Sequence, residues 1–125
     1  MAKKAVRLTR LELEIMRYVW DLGEAAVREI HETIPSSKRP AYTTVQTILT
    51  RLEEKGAVRR TRKIGNAHLY EAVLTRQNTG ARLIEELLDL FGGSSEPLVS
   101  HLVDAGKLTL EDLKHAQELL KKRGK

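Results

Sequence analysis

Residues 42–56 read Tyr42-Thr43-Thr44-Val45-Gln46-Thr47-Ile48-Leu49-Thr50-Arg51-Leu52-Glu53-Glu54-Lys55-Gly56. At 3.6 residues per turn this stretch has two faces. Val45, Ile48, Leu49 and Leu52 share one side and predict burial. Thr43, Gln46, Thr47, Thr50, Arg51 and Glu54 fall on the other. Thr43-x-x-Gln46 has capping-box spacing, and Gly56 suits a C-terminal cap. Threonine is a poor helix former because its branched β-carbon restricts the side chain. Four threonines nevertheless stand at 43, 44, 47 and 50, burying nothing obvious. Two readings follow. In one, Thr43 and Gln46 only cap and the other threonines fill surface. In the other, the face enters a DNA major groove. There Gln pairs bidentately with adenine, and Thr offers a hydroxyl to bases or phosphates and a methyl to thymine.

Upstream, Pro35-Ser36-Ser37-Lys38-Arg39-Pro40 is a loop. Val27, Ile30 and Ile34 recur at helical spacing before it, predicting a short helix to about Pro35. Thr9-x-x-Glu12 is a second capping box, and Leu11, Ile15, Val19 and Leu22, with Met16 beside them, form a helix stopped near Gly23. Residues 1–7 read as a short terminal arm. Downstream of Gly56 the period shortens. Val58 and Leu69-Glu71-Val73 carry strand-like alternation around the turn dipeptide Gly65-Asn66, so 57–63 and 67–73 predict a β-hairpin. Three helices and a hairpin in this order make a winged helix-turn-helix.

The charge falls unevenly along the chain. The 125 residues hold 22 Lys and Arg against 17 Asp and Glu, a net +5. Residues 1–74 account for all of it, with 14 basic and 9 acidic residues, whereas 75–125 balance at 8 and 8. Within 38–63 there are 8 basic and 2 acidic residues, a local +6. Such a block suits a polyanion, though it also suits a solvated face. Lys38 and Arg39 are placed to clamp a phosphate backbone before the Thr/Gln helix. Arg60, Arg62 and Lys63, with Arg59, crowd the hairpin and are placed to grip phosphates or the minor groove.

Residues 75–125 predict helices only. Thr75 caps a helix carrying Leu83, Ile84, Leu87, Leu88 and Phe91, ended by Gly92-Gly93. Pro97 suits the first turn of a helix through Val103, and Thr109-x-x-Asp112 opens a last one with Leu110, Leu113, Leu119 and Leu120. Three short helices make a thin core alone. Leu83, Leu87, Phe91, Leu98, Leu102, Leu110 and Leu113 are therefore expected to form a seam with a second copy. The fold expected is mainly α: a winged-helix DNA-binding domain over 1–74 with a small β-hairpin wing, and a helical dimerisation domain over 75–125.

Other classes find little support. The chain holds no cysteine, which excludes disulfides, thiolate metal sites and cysteine nucleophiles within it. No run of 18 apolar residues and no signal-peptide core occurs, so a cytoplasmic location is expected. His31-Glu32 starts like a zinc motif, but position 35 is Pro and the histidines at 31, 68, 101 and 115 are scattered. No nucleophile elbow or phosphate loop is present, so no enzyme, metal or cofactor is expected. The rivals to sequence-specific DNA binding are a winged-helix protein-interaction module and a non-specific nucleic-acid binder.

Thr9-x-x-Glu12-x-x-Ile15-Met16-x-x-x-Trp20, followed by Tyr42-Thr43-Thr44-Val45-Gln46-Thr47-Ile48-Leu49-x-Arg51-Leu52-x-x-Lys55-Gly56, resembles the penicillinase-repressor family. That family includes the repressors of β-lactamase and methicillin resistance and a copper-responsive branch. The likeness extends through Phe91-Gly92-Gly93. It implies a homodimeric transcriptional repressor on a palindromic operator, with Thr43, Thr44, Gln46, Thr47 and Arg51 at the DNA. Two departures matter. The copper branch senses metal with C-terminal cysteines, which this chain lacks. The antibiotic-resistance branch is switched off when a membrane sensor peptidase triggers cleavage of an Asn-Phe bond, and His101-Leu102 stands at the corresponding position here.

Overall fold

The computed structural model describes residues 6–124; of the expected terminal arm, residues 1–5 lie outside the described residues. Thr9 opens the first helix, α1 (Arg10–Leu22), by satisfying amides that no helical carbonyl reaches. Its hydroxyl accepts from the Glu12 amide at 3.1 Å, and the Glu12 carboxylate accepts from the Thr9 amide at 2.8 Å. The capping box expected from the sequence is complete. A strand β1 (Glu24–Ala26) follows, then α2 (Val27–Thr33), α3 (Tyr42–Glu54), β2 (Val58–Ile64) and β3 (Ala67–Ala72). Gly56, at φ 80°, turns the chain out of α3. The Gly56 amide donates to Glu53 O and the Ala57 amide to Leu52 O, the paired bonds of a Schellman end.

The sheet has three antiparallel strands in the order β1-β3-β2, one more than the hairpin expected. Glu-Ala-Ala has neither the length nor the β-branched content to announce a strand. β1 exists because its residues pair with β3, Ala25 opposite Tyr70 and Ala26 opposite Leu69. Between Arg60 and Lys63 the β2–β3 register slips, so β2 carries one extra residue, a bulge that bends the wing.

Ile15, Met16 and Val19 of α1, Ile30 of α2, and Val45, Ile48, Leu49 and Leu52 of α3 close over Val58 and Tyr70. Each fully buried aliphatic side chain contributes roughly 1.5–3 kcal/mol relative to exposure. Two expectations need correcting. Leu11 and Leu22 flank the α1 stripe and remain exposed. Val73 is exposed because β3 ends at Ala72, and Tyr70 takes the inward position. Trp20 is only half-buried at the core's edge, where its indole N–H donates to Leu74 O at 2.8 Å.

The chain divides into two compact units, Met1–Gly80 and Ala81–Lys125. The helix α4 (Arg76–Leu90) starts where the Thr75 hydroxyl accepts from the Asn78 amide at 3.0 Å. α5 (Glu96–Asp104) has Pro97 in its first turn. In α6 (Leu110–Lys122), Thr109 and Asp112 complete a capping box like that of α1, with bonds of 3.1 and 2.8 Å. None of these three helices has a buried residue.

Candidate nucleic-acid interface

The α2–α3 pair and the β2–β3 wing present one polar surface, and α3 is its centre. Thr43, Gln46, Thr47, Thr50 and Arg51 are exposed and Thr44 is half-buried, while the opposite stripe is wholly buried. The capping role expected for Thr43 and Gln46 does not occur. α3 starts one residue earlier, at Tyr42, with Ala41 as N-cap and no side-chain cap bond. The amides of Thr44 and Val45 reach back to Ala41 O instead. Gln46 therefore lies beyond the capping turn.

Thr47 Oγ1 donates to Thr43 O at 2.9 Å, and Thr50 Oγ1 donates to Gln46 O at 3.1 Å. Returning the hydroxyl proton to the preceding turn satisfies these threonines in a helix that otherwise disfavours them. Their oxygen lone pairs and methyl groups remain for an outside partner.

Gln46 and Thr50 share a groove of about 190 Å³ with Arg28 of α2, Tyr42, and Arg60, Asn66 and His68 of the wing. Arg28, Tyr42, Asn66 and His68 were not marked as candidates by the sequence. Nothing in their local spacing distinguishes them; the topology brings them beside α3. His31 fixes the entry to that helix, its Nε2–H donating to Pro40 O at 3.0 Å and its ring meeting Tyr42 edge-on at 5.6 Å.

The cations sort into two groups. Arg39 donates to Ile34 O at 2.9 Å and to Glu32 O at 3.0 Å, so its guanidinium closes the end of α2. Arg60 pairs with Glu53 at 3.3 Å and lies over the Tyr70 ring at 5.9 Å. Arg62 pairs with Glu24 at 3.0 Å, and Arg59 with Glu71. Lys38, Arg51 and Lys63 have no side-chain partner among the described residues. Lys55 has a different task. Its ammonium donates to Glu12 at 2.6 Å and to Arg7 O at 2.9 Å, tying the end of α3 to the start of α1. Burial pushes the Glu12 carboxyl up, but Lys55 and the Thr9 amide and hydroxyl outweigh it and hold it below the ordinary carboxylate range.

In the second unit, Leu83, Leu87, Phe91, Leu102, Leu110 and Leu113 are exposed and Leu98 is half-buried. Ile84, Leu87, Phe91, Pro97, Leu98, His101 and Leu102 line an apolar groove of about 660 Å³. His101 and Leu102 sit within α5, their carbonyls accepting from the Ala105 and Lys107 amides. No group of three or more His, Cys, Asp or Glu able to hold a metal ion occurs among the described residues.

A helix-turn-helix flanked by an antiparallel wing defines a winged-helix protein. The family described as penicillinase repressor matches residues 8–122, and the chain belongs to it. The transcriptional regulator BlaI of Mycobacterium tuberculosis is 35% identical over 104 residues, covering 81% of this chain and 75% of its own. The penicillinase repressor of Staphylococcus aureus is 24% identical over 121 residues, 96% of this chain and 95% of its own. Among solved structures, the DNA-binding domain of the repressor BlaI superposes with a TM-score of 0.52 at 27% identity, over 60% of this chain and 90% of that one. Wild-type MarR from E. coli in its apo form shares the fold, with a TM-score of 0.50 at 20% identity, over 92% of this chain and 76% of that one.

Proposed function

We propose that this chain is a sequence-specific DNA-binding transcriptional repressor acting as a homodimer on a palindromic operator. The observation that carries the reading is the exposed Thr/Gln face of α3, borne by a buried opposite stripe and flanked by a cationic wing. In this reading residues 1–74 read the DNA and 75–125 pair two copies. Two α3 helices enter successive major grooves one helical turn apart, which requires a palindrome. Gln46 reads a base edge with Thr43, Thr44, Thr47 and Thr50 around it, and Arg51 meets the backbone.

Phosphate contacts fall first to Lys38, Arg51 and Lys63, because Arg39, Arg60 and Arg62 are already engaged within the protein. Three such contacts per protomer give six per dimer. On random-sequence duplex, log K should then fall against log salt with a slope of about −5.

The seam is the apolar surface of α4–α6, where Leu83, Leu87, Phe91, Leu102 and Leu113 remain 39–46% exposed. Relief of repression by a membrane sensor peptidase system, acting through cleavage at His101–Leu102, carries a mechanical condition here. Both residues are helical, so α5 must open before a peptidase can seat that bond. The function so assigned is binding, with no catalytic step, and its place is the cytoplasm. No helix among the described residues is long and apolar enough to cross a membrane.

The deciding experiment is competition between candidate operator and random duplex, with the parent and Gln46→Ala. Strong preference by the parent, relaxed by roughly 1–3 kcal/mol at one base pair per half-site in the variant, is expected. Equal binding of all duplexes would make the protein a non-specific coater. No binding at all would leave a protein-interaction module.

A further inference from the structure

We propose that Glu24, Glu53 and Glu71 determine DNA specificity by holding Arg62, Arg60 and Arg59 in ion pairs, so that these arginines meet phosphate only by exchanging one anion for another. This rests on the DNA-binding reading above. The wing is strongly basic in sequence, yet in the folded protein three of its four β2 cations are matched by carboxylates. The pairs join separate elements. Arg60 of β2 reaches Glu53 of α3, and Arg62 reaches across the sheet to Glu24 of β1. Arg59 faces Glu71 directly in the β2–β3 register.

Within these surface pairs the acids are the more enclosed partners, while the arginines stay 46–68% exposed. All three carboxylate side chains are 32% exposed, against 60% for Glu32 in the helical pair with Arg28. Glu24 and Glu71 also stand opposite each other across β1 and β3, a like-charge juxtaposition that costs stability unless cations are drawn to it. Two acids are thus placed where they draw in Arg59 and Arg62. Arg60 lines the same groove as Gln46 and Thr50, so the neutralised guanidinium lies beside the proposed reading face.

The consequence follows from counterion release. A lone cation that neutralises a phosphate frees a condensed ion from the duplex, and this gain is independent of sequence. An arginine already matched by a carboxylate brings no net charge and releases nothing until the pair opens. The acids therefore reduce the affinity available to any duplex. Opening the pairs is left to complexes whose base contacts offset the cost, which widens the gap between operator and random DNA.

The test uses the full chain with Glu24→Gln, Glu53→Gln and Glu71→Gln, measured on random-sequence duplex between about 50 and 200 mM salt. Glu118→Gln in α6 makes the same change of net charge without releasing an arginine, and serves as control. Each wing variant should steepen the salt slope by about 1.8, from two arginines per dimer at about 0.9 each. Its gain in random-duplex affinity over the parent should then be about twelvefold greater at the low-salt end than at the high. Glu118→Gln should leave the slope unchanged. Adding Arg62→Gln to Glu24→Gln should return the slope to the parent value. Wing variants that behave like Glu118→Gln would overturn the proposal. Failure of the parent to bind any duplex would fell the DNA-binding reading itself, and the proposal with it.

Discussion

The two units of the chain use the same local signals and reach opposite ends. Each has a helix opened by a Thr-x-x-acid box, Thr9 with Glu12 in one and Thr109 with Asp112 in the other. Each ends a helix on glycines of positive φ, Gly56 in one and Gly92-Gly93 in the other. Yet the first unit buries Met16, Ile30, Val45, Leu49 and Leu52 completely, whereas α4–α6 have no fully buried residue and leave Leu110 77% exposed. Caps and periodicity decide where helices form; only packing against other elements makes a unit self-sufficient. The first unit supplies crossing helices and a sheet. The second supplies an apolar surface and, in the proposed function, borrows its cover from a twin.

The largest effect expected is on that borrowing. Leu87→Glu or Leu113→Glu should give monomers by light scattering and lower operator affinity by about 10²–10⁴, the avidity of a two-site grip. A persistent dimer would place the seam elsewhere. Next is Leu49→Ala, which empties a fully buried position and should cost about 2–5 kcal/mol in denaturant unfolding of the first unit. The contrast between the units predicts a further difference. The Leu49→Ala loss should not depend on protein concentration, while truncation at Leu87 should become milder as concentration rises. Equal concentration dependence for both would erase the distinction drawn between them.

A smaller effect belongs to the tie between α3 and α1. Lys55→Met leaves the Glu12 carboxylate enclosed without its cation, at a cost of about 1–3 kcal/mol given that the lysine is itself partly exposed. Adding Glu12→Gln should recover part of that loss, since the stranded charge is then gone. Strict additivity in urea titrations would show that the pair contributes nothing as a pair.

Much of this was legible from residue spacing, and the exceptions share a cause. The faces of α3, the boxes at Thr9 and Thr109, the role of Pro97 and the stop at Gly56 depend on neighbours within a turn or two. β1 was not legible, because Glu-Ala-Ala becomes a strand only by pairing with residues 69–71. Thr43-x-x-Gln46 matched a cap by spacing, but α3 begins at Tyr42 and leaves the motif inside the helix. At the candidate site, a count of charges found the basic block and missed its partners. Arg62 and Glu24 are 38 positions apart, and Arg39 turns back onto the Glu32 and Ile34 carbonyls at the end of α2, which no composition reveals. Local chemistry was readable; long-range satisfaction of that chemistry was not.

The smallest effect is also the finest discriminator, because it applies one change to the same motif in both units. Glu12 and Asp112 both titrate below their ordinary values of 4.5 and 3.8. For Asp112 the Thr109 amide and then its hydroxyl pull the value down against slight desolvation. For Glu12, burial is the largest influence and acts upward, so Lys55 and Thr9 must overcome it. A carboxyl lowered in the folded state stabilises the fold fully above its unfolded value and loses that contribution as pH falls through the folded value. Thr9→Ala should therefore cost about 1 kcal/mol near neutral pH, and its difference from the parent should narrow as pH drops below about 4.5. Thr109→Ala should lower helix content in the second unit while leaving the unfolding of the first unchanged. A Thr9→Ala penalty that stays constant with pH would mean that the hydroxyl caps the helix without sensing the charge of Glu12. The Lys55 pair alone would then hold that carboxyl down.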